Sequence, residues 1–263
     1  MPRITLEKDN LDEQNKTFVQ TPLKQALFLN SVPKSGTHLL RNIMRMFVPV
    51  EHHYTAAFIQ IAQLRAHVAA FSPNPWKLSW GHLLFDDEPA VLMKDVRKVL
   101  LVRDPYDWVL ARARFYLSEN FDGRLEHLKG GRVNIEDILN MMIFGVHKKA
   151  PSLEETFRYN ACAWLGTGVY LIRYEDLMQA VKSPDIPASE RYMLDLFAAC
   201  GIDAPTDWRE RVRIGSDRKQ SSTARENLRP TGVNVPDELP DTQKQLVDYA
   251  APRLRKLLGY GPR

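Results

Sequence analysis

The apolar positions of this chain fall into short buried runs that alternate with amphipathic stretches. Leu23 to Asn30 and Val96 to Val102 are short apolar runs that predict buried strands, and Val169 to Arg173 predicts a third. Each is followed at once by helical spacing. Leu39, Leu40, Ile43, Met44 and Phe47 share a face over Thr37 to Phe47, and Pro49 stops that helix. Phe58, Ile61, Ala62, Arg65 and Ala69 predict a second helix over Thr55 to Ala70. Tyr106 to Leu117 continues from Pro105, a residue well placed in a first helical turn. Ile135 to Phe144, Leu153 to Leu165 and Glu190 to Cys200 predict further helices. Thr242 to Leu258 closes the chain, with Leu246, Ala250, Leu254 and Leu257 inward.

Strand, turn and helix in repeated order predict an α/β protein: a three-layer sandwich around a central, mostly parallel sheet, with ligands at the carboxyl ends of its strands. One domain over residues 1–263 is expected, with an arm over 1–21 that is poorly ordered or an edge segment. Residues 118–155 read as an insertion over a site, a lid or a partner surface. Residues 209–235 are polar, basic and without periodicity, and a long structureless stretch in a compact domain is more often functional than not.

Composition alters this picture little. Of the 263 residues, 44% are hydrophobic and 26% charged, an ordinary globular balance. The net charge of +4 suits an anionic ligand but is too small to argue for nucleic acid. Two cysteines, Cys162 and Cys200, make no disulfide framework, so a reducing, cytoplasmic setting is expected. The polar N-terminus reads as carrying no signal peptide, and no apolar run approaches the roughly 20 residues that span a bilayer.

The sharpest chemical signal is PKSGTHLL at residues 33–40, behind the first strand. A tight turn opening a helix offers peptide N–H groups to an anion, and Lys34 adds a point charge. The first glycine of GxxxxGK(S/T) is missing and the lysine precedes the glycine, so a triphosphate with magnesium is not what this loop suits. RDPYDWVLARARFYL at 103–117 repeats the form of strand, charged turn and helix, and RYEDL at 173–177 follows the third strand.

Together these three segments resemble the sulfotransferases that use 3'-phosphoadenosine 5'-phosphosulfate (PAPS), a family with a P-loop NTPase-like fold. Order and spacing agree across about two thirds of the chain. The likeness is distant from the animal cytosolic members, which carry a tryptophan where this chain has Leu39. On that resemblance Lys34, Ser35, Gly36, Thr37 and His38 hold the 5'-phosphosulfate, and Arg103 the 3'-phosphate. Tyr174 lies near the adenine or else serves as a core tyrosine. His38 either points to the sulfuryl group or lies on the helix surface. The basic stretch RIGSDRKQSSTARENLRP looks like a diverged cofactor-covering segment. Arg218, Lys219 and Arg225 are its candidates for the 3'-phosphate, with Ser221 and Thr223 beside them.

Gly81-His82-Leu83-Leu84 matches the family segment that carries the catalytic base, which makes His82 the expected general base. An imidazole is suited to that task near neutral pH. Lys34 is expected to stabilise the leaving phosphate, with Ser35 holding it back until an acceptor binds. Two departures stand out. Ala111 replaces a serine that touches the 3'-phosphate, with Arg112 a candidate replacement donor. Trp80 replaces a lysine, with Lys77 a candidate substitute.

The activity implied is sulfuryl transfer from PAPS to a hydroxyl of a small or lipid-like acceptor, releasing adenosine 3',5'-bisphosphate and requiring no metal. Trp76, Trp80, Tyr106, Trp108, Phe115, Tyr116, Met141, Met142 and Phe144 are the candidate walls of an apolar acceptor pocket, several of them also expected in the core. His52-His53 has no third ligand at a supporting spacing. The rival readings are a small-molecule kinase and a non-catalytic nucleotide-binding protein. No nucleic-acid partner and no transmembrane segment are expected.

Overall fold

The computed structural model describes residues 3–4, 8–56, 61–123, 125–221, 223–228 and 232–261. In chain order the strands of its main sheet are β1 (Leu27–Ser31), β2 (Leu78–Gly81), β3 (Arg97–Val102) and β4 (Tyr170–Arg173). Its longer helices are α1 (Thr37–Arg45), α2 (Pro105–Leu117), α3 (Ile135–Phe144), α4 (Leu153–Asn160), α5 (Tyr174–Lys182), α6 (Pro187–Cys200), α7 (Trp208–Gly215) and α8 (Asp241–Ala250). Two compact units are present. One comprises Asp9–Val102 and Tyr159–Gln220, the other Met1–Lys8, Arg103–Arg158 and Ser221–Arg263.

The first unit holds the sheet, which is parallel throughout in the order β2-β1-β3-β4. All five residues of β1 are buried, as a strand covered on both faces must be, so it reads as a continuous apolar run rather than an alternating one. The chain leaves β1 for β2 on one side and returns to β3 on the other. The carboxyl ends of β1 and β3 therefore flank a topological switch point, the usual ligand position in open α/β sheets. α1 packs on β1 and β2, and α6 packs on β3. Leu27, Leu29, Leu40, Ile43, Val99 and Leu101 form the centre of the core. Each such side chain contributes about 1.5–3 kcal/mol by leaving water.

Several expected elements are corrected here. Part of the expected arm, Leu11–Asn15, is a helix: Leu11 is fully buried, and Asn15 Nδ2 donates to the carbonyls of Arg45 and Val48. Residues 1, 2 and 5–7 lie outside the described residues. The helix expected over 55–70 is a 3-10 helix at Ile61–Ala70, and residues 57–60, including Phe58, lie outside the described residues. Three residues per turn put Leu64 and Ala70 inward, leaving Arg65 and Ala69 exposed.

The polar stretch from 209 begins as helix α7. Its Arg211 is 2% exposed and donates to Asp207, Gln20 and the carbonyls of Met46 and Val19. A Cβ on Gly215 would lie 2.7 Å from the Asn42 carbonyl oxygen, so glycine lets α7 approach α1 backbone to backbone.

In the second unit α2, α3 and α8 pack together, beside a two-residue ladder between Arg3–Ile4 and Phe121–Asp122. Asp104 caps α2 by accepting the Tyr106 N–H at 3.0 Å, and Pro105 follows as the first helical residue. The same carboxylate is fully buried and paired with Arg255, at 2.9 Å to Nη2. Arg112 is 2% exposed and donates to the carbonyls of Met142 and Pro151, which pins the middle segment to α2.

The closing helix expected over 242–258 stops at Ala250 and resumes at Leu254–Leu257, because Pro252 removes an N–H donor in between. Its buried positions are Gln243, Val247, Ala251, Leu254 and Leu258, three of them one residue on from those expected, and Leu257 is exposed. Among the described residues no helix is long and apolar enough to cross a membrane.

Candidate active site

The loop after β1 bends sharply. Lys34 and Gly36 both adopt the left-handed conformation, at φ 68° and 98°. Two such residues in three positions give the concave backbone that receives anions, and the first turn of α1 adds N–H groups without intrahelical acceptors. A Cβ on Gly36 would stand 2.5 Å from Tyr174 Cδ2, so the ring at the start of α5 closes over the glycine. Tyr174 packs on the core as well.

The hydroxyls of Ser31 and Thr37 lie 2.7 Å apart, tying the end of β1 to the start of α1. Beside them is His82, just past β2. Its Nδ1 lies 2.8 Å from the Ser31 carbonyl oxygen and 3.2 Å from the Ser31 hydroxyl. A carbonyl only accepts, so Nδ1 carries the proton and Nε2 keeps its lone pair. Burial is the main cause of the low pKa of His82, about 4, and Lys34 lowers it further against the raising effect of the Ser31 carbonyl. The imidazole is therefore neutral at pH 7.

His38, on α1, is held at about 3 by burial and by the charges of Lys34, Arg41 and His82. Its ring lies 5.8 Å from that of Trp80, over which Arg41 stacks at 4.4 Å. Lys34, Ser35, Gly36, Thr37, His38, His82 and Tyr174 thus belong to one unit, after the carboxyl ends of β1, β2 and β4. Arg218 and Lys219 are in the same unit, exposed in the 3-10 turn Arg218–Gln220. That turn is tied to α1 by Asn42, which donates to the Gln220 carbonyl at 3.2 Å.

Arg103 and Arg225 belong to the other unit. Arg225 is exposed and ion-paired with Asp237. Arg114, which sequence reasoning missed, lies 3.5 Å from the same Asp237 oxygen and donates to the Pro236 carbonyl. Its pKa is lowered by burial first, then by Arg225 and, more weakly, by Arg103, so the three guanidiniums feel one another. The available signal was spacing: Arg114 lies three residues beyond Ala111, on the same helix face.

Three expectations fail on geometry. Ser35 is fully buried and its hydroxyl has no hydrogen-bond partner, so it does not restrain Lys34. Arg112 is committed to two carbonyls and stacks on Trp108 and Tyr116, so it is not a replacement donor for Ala111. Lys77 donates to the Glu51 carbonyl at 2.6 Å rather than standing in for the lysine that Trp80 replaces. Of the proposed pocket walls, Trp108, Phe115 and Met142 are core residues, whereas Met141 and Phe144 line an open groove with Asp137 and Asn140.

His52 and His53 contact the carbonyls of Trp76 and Val48. Among the described residues no group of His, Cys, Asp or Glu is arranged to hold a metal.

No family model matches this sequence, and no curated protein matches it either. In structure the chain is similar to mouse sulfotransferase SULT7A1 complexed with PAP. The TM-score is 0.57 at 15% identity, over 98% of this chain and 96% of that one. Retinol dehydratase in complex with androsterone and inactive cofactor PAP matches with a TM-score of 0.49 at 13% identity, over 90% of this chain and 82% of that one. The first likeness shows the fold: α/β with a central, mostly parallel sheet, of the sulfotransferase kind.

Proposed function

We propose that this protein is a PAPS-dependent sulfotransferase that acts on a hydroxyl of a small or lipid-like acceptor. The observation that carries the reading is His82. It is neutral, with its proton fixed on Nδ1 by the Ser31 carbonyl, beside a loop whose backbone and lysine suit an anion. Lys34, Gly36, Thr37 and His38 take the 5'-phosphosulfate in this reading, and Arg218 and Lys219, in the same unit, are the candidates for the 3'-phosphate.

PAPS brings an activated sulfuryl group. His82 Nε2 accepts the acceptor's hydroxyl proton as its oxygen bonds to sulfur. The bond from sulfur to the 5'-phosphate oxygen breaks with its electron pair, and Lys34 stabilises the charge left on that phosphate. His38, neutral beside Lys34, adds no competing positive charge.

Thermal denaturation with nucleotide tests the binding half of this reading. Adenosine 3',5'-bisphosphate in EDTA is expected to raise Tm, and removing its 3'-phosphate to abolish most of the effect. Stabilisation by ATP with magnesium alone contradicts the reading and favours a kinase.

A further inference from the structure

Asn30 lies in β1 where the pattern calls for an apolar side chain, and it is 2% exposed. A buried amide is costly unless its hydrogen bonds are made, and here they are. Its Oδ1 accepts the N–H of Ser31 at 3.0 Å and of Leu83 at 2.9 Å. Two backbone donors on one atom fix which way the amide points. Its Nδ2 donates to the Leu83 carbonyl at 3.1 Å, which also receives Asn160 Nδ2 at 3.1 Å and Trp164 Nε1 at 3.0 Å.

The two residues gripped in this way bracket His82. Leu83 follows it in the chain, and Ser31 supplies the carbonyl that receives its Nδ1 proton. The geometry points to Asn30 as the positioning residue of His82: one side chain sets the backbone on both sides of the imidazole and so fixes its tautomer and direction. Asn30 itself touches no reacting atom. Its catalytic consequence rests on His82 being the base of the proposed reaction, whereas its effect on the imidazole does not. Trp164 grips the Leu83 carbonyl alone and so holds one side of the histidine, whereas Asn160 also donates to Asn30 Oδ1 at 3.4 Å and belongs to the Asn30 cluster.

The experiment is 15N NMR of the His82 imidazole in the full chain, on the wild type, Asn30→Ala and Trp164→Phe, each with its Tm. The wild type is expected to show the Nδ1–H tautomer at pH 7. Asn30→Ala is expected to show mixed tautomers and titration closer to 6.5, with about a tenfold loss of kcat and the KM for PAPS unchanged. Trp164→Phe is expected to keep the wild-type tautomer even if its Tm falls as far.

An Nε2–H tautomer in the wild type overturns the inference whether or not the variants fold. So does an unchanged tautomer in Asn30→Ala, or equal tautomer mixing in both variants. Turnover of His82→Ala is read separately: full activity there removes the base assignment and leaves Asn30 as the residue that holds His82.

Discussion

At the scale of single residues, the proposed chemistry depends on where one proton sits. The Ser31 carbonyl takes the Nδ1 proton of His82, and burial with nearby Lys34 keeps the ring from gaining a second. His82→Ala is expected to lower kcat by on the order of 10²–10⁴ while affinity for adenosine 3',5'-bisphosphate stays within about twofold. With a folded pKa of about 4, kcat/KM is expected to stay flat from pH 8 down to about 5, rather than halving near the ordinary value of 6.5. A midpoint near 6.5 in the pH profile contradicts the lowered pKa of His82.

Ser35 makes an opposite case. Its buried hydroxyl is unpartnered, so Ser35→Ala is expected to leave Tm unchanged or raise it, measured by calorimetry. His82 could be nominated from the sequence because a motif carried it. Asn30 and Ser31 were not, because a polar residue inside an apolar run shows nothing of what it will bond after folding.

Among the elements, the strands and the helices opening on a turn were legible. Continuous apolar runs, Pro105 at a first turn and a glycine turn are local signals. Helix α7 was not legible, because Arg211 occupies a core position that reads as polar. Its charge is matched by Asp207 and its carbonyl partners come from residues far away in sequence. The turn of α7 against α1 depends on Gly215. Gly215→Val is expected to destabilise by about 1–3 kcal/mol in urea unfolding, since the Asn42 and Ile43 backbone cannot yield. Gly36→Ala has a different signature: it strains the left-handed turn and collides with Tyr174. It is expected to weaken nucleotide binding more than tenfold in titration calorimetry.

For the molecule as a whole, the half-buried histidines His38 and His82 make stability depend on pH. The folded pKa values of His38 and His82, about 3 and about 4, lie below the ordinary 6.5. Between those limits the unfolded chain binds more protons, so stability falls as pH drops from about 6.5. Asp9 acts in the same direction at lower pH. Despite burial, its hydrogen bonds and charge contact with Arg45 depress its pKa, so its contribution is present above the ordinary 3.8 and is lost as pH falls through the folded value. Melting curves from pH 7 to 4 are expected to show a falling Tm, and His38→Phe is expected to flatten that slope.

The α/β class was legible at this scale from repeated strand, turn and helix. The arginine partners were not, because Arg114 and Arg225 meet through Asp237, and only the folded chain brings them to one carboxylate.

The central claim is sulfuryl transfer with His82 as base. Its most direct measurement is transfer of 35S from labelled PAPS to a panel of phenols, sterols and aliphatic alcohols, comparing the wild type with His82→Ala. The account predicts labelled sulfate ester on at least one acceptor with the wild type, without added metal. It predicts at least a hundredfold less with His82→Ala, which still binds adenosine 3',5'-bisphosphate. Equal label from both proteins, or adenosine 3',5'-bisphosphate bound by neither, contradicts it.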